Sequence, residues 1–218
     1  MAQADNYNTW LLDRSRPYLG RRVLDVGAGL GTFTELAAAG REVVALEPEA
    51  AFATDLRRRF AGRPNVQVVE ADADELEGES GPFDSVICFN VLEHIPDDQG
   101  ALRQFHSRLA PGGHLLLLVP AHPFLFGAID RTVQHERRYK REPLRRLLEQ
   151  TGFAVQTVRY VNPLGALGWV VSGRVLGRGQ IPKGPLRFYD NLVPLLRALD
   201  RLELPFGLSV WAVARRVA

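Results

Sequence analysis

The chain has 218 residues, of which 46% are hydrophobic, and it carries a formal net charge of +2. This length and apolar content suffice for one large core, so we expect a single domain over residues 1–218. The near-neutral charge argues against general nucleic-acid binding, no apolar run is long enough for a membrane-spanning helix, and a lone cysteine, Cys88, excludes an internal disulfide framework.

Apolar runs typical of β-strands alternate along the chain with amphipathic segments typical of helices. The predicted strands are 22–27, 42–47, 66–71, 83–90, 113–120 and 153–161, and the predicted helices are 31–39, 49–61, 97–109 and 141–151. Continuous apolar strands that alternate with helices are characteristic of a parallel sheet covered on both faces. The pattern therefore predicts a doubly wound α/β fold.

The C-terminal part departs from this alternation. Residues 204–216, LPFGLSVWAVARR, alternate loosely and predict a final strand at the edge of the sheet. Residues 162–204 precede it and are too many for a plain connection. We expect a helical insertion there, which acts as a lid over an apolar pocket, as a dimer surface, or as a surface resting on a membrane; we favour the lid.

Three glycines follow the first predicted strand in GAGLG (27–31). They let the backbone turn sharply at the edge where doubly wound proteins bind ligands. A dinucleotide fingerprint needs G-x-G-x-x-G, and Thr32 stands where its third glycine would be. Asp25 before the turn and Glu47 at the end of the second strand instead favour an amino acid joined to a nucleoside, because a carboxylate accepts both ribose hydroxyls. A solvated strand-end acid is the alternative for Glu47.

Several motifs together resemble the class I S-adenosylmethionine-dependent methyltransferases. The glycine stretch VLDVGAGLGTFTELAAAG and VVALEPE are followed in the family's order by VVEADADEL, FDSVICFNVLEHIPDD and LAPGGHLLLLVP. The resemblance covers residues 23–161. It implies a Rossmann-like, mostly parallel seven-stranded sheet with an antiparallel last strand. It also implies S-adenosylmethionine as the cofactor and S-adenosylhomocysteine as its product.

The resemblance assigns cofactor contacts to residues that follow the first four strands: Asp25, Gly27, Ala28, Gly29, Glu47, Pro48, Asp72, Ala73, Asn90, Val91 and Leu92. Glu47 would hold the ribose hydroxyls, Asp72 would bond the adenine amino group, and the Asn90 carbonyl would face the ammonium group. Without the resemblance, the capping pattern of DADEL makes Asp72 the start of a helix.

Residues 1–20 resemble the helix that precedes the first strand in this family. Tyr7 and Trp10 are three residues apart and share a face of that helix. This face either docks on the core, or it covers the cofactor with Tyr7 in contact. The first ten residues hold acids and amides where a secretory signal has basic and then apolar residues, so we expect a cytoplasmic protein.

Transfer of a sulfonium methyl needs an aligned acceptor, and it needs a base only when the acceptor must lose a proton. Histidine is the suitable base near neutral pH. Two histidines follow the fifth predicted strand, where loops carry function, so His135 and His122 are the candidate catalytic residues. His94 follows the fourth strand and either contacts the ligand or packs at a helix entry. The spacing of histidines and acids predicts no metal site.

The segment RTVQHERRYKREPLRR (131–146) holds seven basic residues and two acids. It is either a solvated loop and helix face or a rim that attracts anions. We expect methyl transfer to a small molecule with an anionic and an apolar part, such as a natural-product or lipid-like intermediate. Peripheral membrane contact is compatible with this acceptor, as is either a monomer or a homodimer. An NAD(P)-dependent oxidoreductase and a non-catalytic cofactor-binding scaffold are the alternatives.

Overall fold

The computed structural model describes residues 5–73, 81–169, 193, 194, 197 and 202–217. Seven strands form one sheet. In chain order they are Arg22–Val26 (β1), Glu42–Leu46 (β2), Val66–Val69 (β3), Phe83–Phe89 (β4), Leu109–Pro120 (β5), Phe153–Val161 (β6) and Ser209–Arg216 (β7). Their order in the sheet is β3-β2-β1-β4-β5-β7-β6, and all neighbours are parallel except the two pairs that include β7. The predicted fold class is confirmed.

The helices lie between the strands, close to the predicted positions. They are Asp5–Ser15 (α1), Thr32–Ala37 (α2), Ala50–Arg59 (α3), Asp98–Arg108 (α4), Ala128–Thr132 (α5), Arg141–Gln150 (α6) and Pro163–Trp169 (α7). Helix α7 begins the segment predicted as a helical insertion, most of which lies outside the described residues. The helix start predicted after Asp72 also lies outside them. Within the described part of the chain, no helix has the length and apolarity needed to cross a membrane.

The last strand was wrongly predicted at the edge of the sheet. β7 lies between β5 and β6, where Trp211 pairs with Leu118 on one side and with Arg159 on the other. Residues 209–214 are all buried. A continuously apolar run such as VWAVA is typical of a strand covered on both faces, so the loose alternation was the weaker signal. The edge strand next to β7 is β6.

Two apolar layers cover the faces of the sheet. On one face α4 and α6 pack through Leu102, Phe105, Leu144 and Leu148, all fully buried. On the other face α1 and α2 contribute Trp10, Leu11, Leu12 and Ala37. Cys88 in β4 is fully buried. These layers leave the carboxyl edge of the sheet to the loops, and the strand order reverses there between β1 and β4.

Candidate active site

The glycine turn after β1 meets the end of β4. Gly27 has φ of +66°, and a Cβ added there would lie 2.5 Å from a methyl carbon of Val91. The close approach of two strand ends therefore requires glycine at this position. Gly29 also has a positive φ, of +53°, but a Cβ there would meet only the Gly27 carbonyl oxygen, at 3.9 Å. The turn thus leaves open space beside Gly29, as a cradle for a ligand requires.

Glu47 lies at the end of β2 and faces this turn. Its carboxylate accepts hydrogen bonds from the backbone N–H groups of Gly29, at 2.7 Å, and Glu49, at 3.1 Å. These bonds occupy about half of the lone-pair sites of a carboxylate. The orientation of the side chain is thereby fixed, and acceptor capacity remains for a pair of hydroxyl groups. Glu47 is 6% exposed, so the solvated interpretation of this acid is wrong.

Asp25 is enclosed within the protein next to the turn. Its carboxylate accepts a hydrogen bond of 2.6 Å from the Thr34 hydroxyl in α2, and only 3% of the residue is exposed. Burial, together with the negative charge of the nearby Glu47 carboxylate, raises the pKa of Asp25 to about 7. The structure therefore gives Asp25 a contact that ties the turn to α2, and its predicted cofactor contact remains a prediction.

The other residues predicted around the cofactor lie at neighbouring strand ends. Asn90 has φ of +54° and donates its N–H to the Leu118 carbonyl at 2.7 Å. Leu92 is fully buried in the core, where its side chain packs among other apolar groups. Pro48 and Asp72 are exposed after β2 and β3, and Ala73 is partly buried. The tertiary structure thus brings all these positions to one edge of the sheet.

Helix α1 packs through the aromatic pair predicted on one of its faces. Tyr7 and Trp10 are each 4% exposed, and their ring centroids are 5.5 Å apart. Both lie in an apolar cluster with strand residues of the sheet. The docking interpretation of this face is therefore confirmed, while contact between Tyr7 and a cofactor stays a prediction.

A cleft of about 420 Å³ borders the glycine turn, and its walls come from α1, the turn, α2 and α3. Arg59 contributes to it and binds both the Leu30 carbonyl and the Glu35 carboxylate. Among the residues predicted to bind the cofactor, only Gly29 lines this cleft within the described structure. We therefore base the cofactor site on the strand ends, with the cleft as its neighbour.

His135 is held by a buried ion pair in the loops after β5. Its Nδ1 lies 2.9 Å from Oδ1 of Asp130, and the same oxygen accepts a bond of 2.7 Å from Nε of Arg138. The Gly127 N–H donates to the other oxygen at 2.9 Å. Burial alone would raise the pKa of Asp130, but the hydrogen bonds from His135 and Arg138 hold it below its ordinary value. Because the carboxylate binds Nδ1–H, the lone pair of Nε2 is free to accept a proton.

Glu93 and His94 bring a second group of polar atoms to His135. They lie in a 3₁₀ turn, Leu92–His94, that follows β4, and the Glu136 N–H donates to the Glu93 carbonyl at 2.8 Å. The Glu93 carboxylate is fully buried, and Oε1 lies 3.8 Å from Nε2 of His135. Burial raises the pKa of Glu93 to about 8. The rings of His94 and His135 meet edge to face at 4.8 Å.

His122, the second candidate catalytic residue, lies on a neighbouring part of the same edge. Its ring stacks on Tyr160 of β6 at 4.5 Å, with an angle of 19° between the planes. Burial, together with Arg138 and Lys140, lowers its pKa, so the ring is neutral near pH 7. His135 therefore joins an acid–histidine cluster, whereas His122 joins an aromatic stack.

The basic segment is not wholly solvated, and its predicted attraction for anions stays a prediction. Arg138 is buried against Asp130 and places its guanidinium over the Trp169 ring at 4.4 Å. Arg137 donates to the carbonyls of Ile95 and Pro96. Both arginines connect loops through these contacts. The exposed positive charge of the segment therefore lies on its other basic residues.

Glu93 and Asp130 are the members of the site that the sequence did not reveal. Each acid lies in a loop after a strand, but the sequence does not show that it is buried or which histidine it faces. The pair Glu93–His94 directly after a strand was the one available signal. It becomes informative only when the fold brings the distant residue His135 beside it.

The fold is that of a doubly wound α/β protein in which the glycine turn and Glu47 lie where the strand order reverses. A family model described as a methyltransferase domain matches residues 5–158, so the chain belongs to the methyltransferase family. It is similar to a ubiquinone biosynthesis O-methyltransferase of Xanthomonas axonopodis pv. citri (strain 306), with 38% identity over 101 residues that cover 45% of this chain and 42% of that protein. The chain spans less than half the length of the first such relatives that it matches.

Solved structures show the same fold at lower sequence identity. Phosphoethanolamine N-methyltransferase 2 of Haemonchus contortus, solved with S-adenosyl-L-methionine, has a TM-score of 0.68 and 22% identity, and the match covers 98% of this chain and 53% of that one. A SAM-dependent methyltransferase of Archaeoglobus fulgidus has a TM-score of 0.66 and 20% identity, with 97% and 94% covered. These matches support the fold.

Proposed function

We propose that this protein transfers a methyl group from S-adenosylmethionine to a hydroxyl oxygen of a small molecule. The observation that carries the proposal is the joint placement of the glycine turn with Glu47 and of the His135 cluster at one sheet edge. The family match supports methyl transfer, and relatives named O-methyltransferases support oxygen as the acceptor atom. Thr32 stands where a dinucleotide fingerprint has its third glycine, and the family model describes a methyltransferase domain. Both observations disfavour the oxidoreductase alternative.

The residues at the strand ends fit this cofactor. The open space beside Gly29 admits the ligand next to the backbone, and Glu47 has acceptor capacity for a ribose diol. Asp72 and Pro48 are exposed at the neighbouring strand ends, where we assign them to the adenine. When bound, the cofactor supplies an electrophilic methyl group whose sulfonium becomes a neutral thioether on transfer.

The His135 cluster supplies what the acceptor needs. A hydroxyl oxygen that forms a bond to carbon must lose its proton, and the Nε2 lone pair of His135 can take that proton. Asp130 fixes the tautomer through Nδ1 and stabilises the imidazolium that results. We assign His122 to contact with the acceptor, since it lies on the same edge with a neutral, stacked ring.

The acceptor is expected to have an apolar part. Phe124 and Val133 are 60% and 44% exposed, and both lie in the segment that joins His122 to His135. Helix α7 approaches the same segment, because Trp169 donates its indole N–H to the Leu125 carbonyl at 3.4 Å. We propose that the insertion that α7 begins covers the apolar part of the acceptor, rather than serving as a dimer or membrane surface.

The proposal is tested with a labelled methyl donor and a panel of hydroxylated aromatic and lipid-like metabolites. We expect labelled product with the native protein. In Glu47→Ala, calorimetry should show a cofactor affinity roughly 100-fold weaker, since the ribose hydroxyls lose their acceptor. Glu49→Gln, an exposed neighbour, serves as the matched control. Tight cofactor binding without product from any acceptor would favour the scaffold alternative, and unchanged affinity in Glu47→Ala would remove the ribose assignment.

A further inference from the structure

The Glu93 carboxylate is the most unusual polar group in the described structure. It is fully buried, and neither of its oxygens receives a hydrogen bond from the described part of the chain. A buried carboxylate without donors is costly. The loop does not need this acid for its own hydrogen bonds, since its link to Glu136 uses the Glu93 backbone carbonyl. The side chain is therefore available for a ligand that carries positive charge.

The two histidines beside Glu93 are oriented as metal-binding histidines are. Nδ1 of His135 bonds Asp130 at 2.9 Å, and Nδ1 of His94 lies 3.2 Å from the Gln134 carbonyl oxygen. An acceptor at Nδ1 places the proton on that nitrogen and leaves the Nε2 lone pair for a ligand. The carboxylate–histidine pair of Asp130 and His135 is the arrangement that orients histidine ligands in metal sites.

From these contacts, we propose that Glu93, His94 and His135 bind a divalent first-row transition-metal ion. One ligand atom from each residue lies within 4.8 Å of the others. Bonds of about 2.0–2.2 Å to a central ion require ligand atoms roughly 3.3 Å apart. Small side-chain rotations that bring these atoms closer by up to about 1.5 Å would complete the set. Two imidazoles and one carboxylate suit zinc, iron or cobalt and disfavour calcium and magnesium, which prefer oxygen ligands.

Three protein ligands would leave at least one coordination position of such an ion open. An acceptor hydroxyl bound there loses its proton more readily, because the ion stabilises the negative oxygen. The O–H bond would break, and the proton would pass to water. The oxygen would keep the electron pair and form the new bond to the methyl carbon, while the bond from that carbon to the cofactor sulfur breaks and its electron pair stays on sulfur. The ion would then replace His135 as the group that activates the hydroxyl, and this role rests on the proposed methyl transfer. The proposed binding of the ion does not depend on methyl transfer.

The test is a titration of chelator-treated protein with Co²⁺, followed by visible absorption of the bound ion. We expect about one Co²⁺ per chain, displaced by Zn²⁺ but not by Ca²⁺ at equal concentration. Glu93→Gln and His135→Gln should each weaken Co²⁺ binding by about 100-fold or more, since a ligand is lost. His114→Gln is the matched control, because His114 packs on Tyr18 away from the cluster.

Thermal unfolding of the same variants guards against misfolding as an explanation. Co²⁺ should raise the Tm of the native protein and of His114→Gln, but not that of Glu93→Gln, since an ion stabilises only the folded state that binds it. Equal Co²⁺ affinity in Glu93→Gln and the native protein would overturn the site, as would displacement by Ca²⁺. Co²⁺ binding without methyl transfer would keep the site and reject the proposed function. Methyl transfer without Co²⁺ binding would reject the site and keep the proposed function.

Discussion

The two halves of the carboxyl edge are built in different ways. The half to which we assign the cofactor, called the cofactor half, lies over β1, β2 and β4. It consists of short turns that are shaped by positive φ angles, as at Gly27, and by backbone N–H groups, as at the bond from Gly29 to Glu47. The half to which we assign the acceptor, called the acceptor half, consists of buried side-chain pairs within the connection after β5 and of a contact from His135 to Glu93 after β4. Asp130, Arg138 and His135 form its centre.

This difference indicates which parts of the sheet edge can change between related proteins and which can stay constant. The backbone geometry of the cofactor half depends on a few glycines and one strand-end acid, so it can stay constant while loops change. The acceptor half depends on which side chains the loops bring together. We therefore assign substrate selection and activation to the half that is held by side-chain contacts, and each half should be separable from the other by mutation.

The largest expected effect on stability lies in the acceptor half. Asp130→Asn should lower the free energy of unfolding by about 3–5 kcal/mol, because Arg138 would stay buried without its charge partner. Urea unfolding measures this loss, and cofactor affinity of the folded protein should stay within about threefold. Asp13→Asn, an exposed acid paired with Arg16, is the control, with an expected change of less than about 1 kcal/mol. A small loss in Asp130→Asn, or a large loss of cofactor affinity, would show that the halves are not built as described.

A smaller effect is expected in the cofactor half. Gly27→Ala should cost about 2–4 kcal/mol, because its Cβ would clash with Val91 and its positive φ would be strained. Gly40→Ala has a similar φ of +73° with no atom within 4 Å of the added Cβ, so it should cost only about 1–2 kcal/mol. Chemical denaturation compares the two. Adding Val91→Ala to Gly27→Ala should restore part of the difference, and equal losses in both glycine variants would contradict the close approach of the strands.

The third expected effect is a pH dependence of stability that Asp25 introduces. Its carboxyl titrates near 3.8 when unfolded and near 7 when folded, so the folded state retains the proton between these values. The free energy of unfolding should therefore fall as the pH rises from about 4 to 7 and then level off. Asp25→Asn removes this dependence, so its free energy of unfolding should change less between pH 4 and pH 8 than that of the native protein.

The measurement for Asp25 is urea unfolding of both proteins across that range. Other buried acids titrate in both proteins, so only the difference between the two curves is assigned to Asp25. Asp55→Asn, in an exposed ion pair with Arg58, should follow the native curve. Parallel curves for the native protein and Asp25→Asn would reject the raised pKa.

Much of the fold could be predicted because its signals are local. Six strands and four helices follow from apolar periodicity and from glycine at helix ends. The position of β7 could not be predicted, because pairing depends on which neighbour an apolar strand finds and not on its own pattern. For Trp211 that neighbour is Leu118 on one side and Arg159 on the other.

The sequence by itself determined the fold class, the family resemblance and the positions that we assign to the cofactor, since the glycine turn, Glu47 and the strand ends lie within short, ordered motifs. Only the tertiary structure decided the acceptor half. Glu93 and Asp130 acquire their chemistry through burial and through contacts with His135, and Arg138 is enclosed instead of solvated. Burial and long-range contact are properties of the packed chain, so no local pattern of residues specifies them.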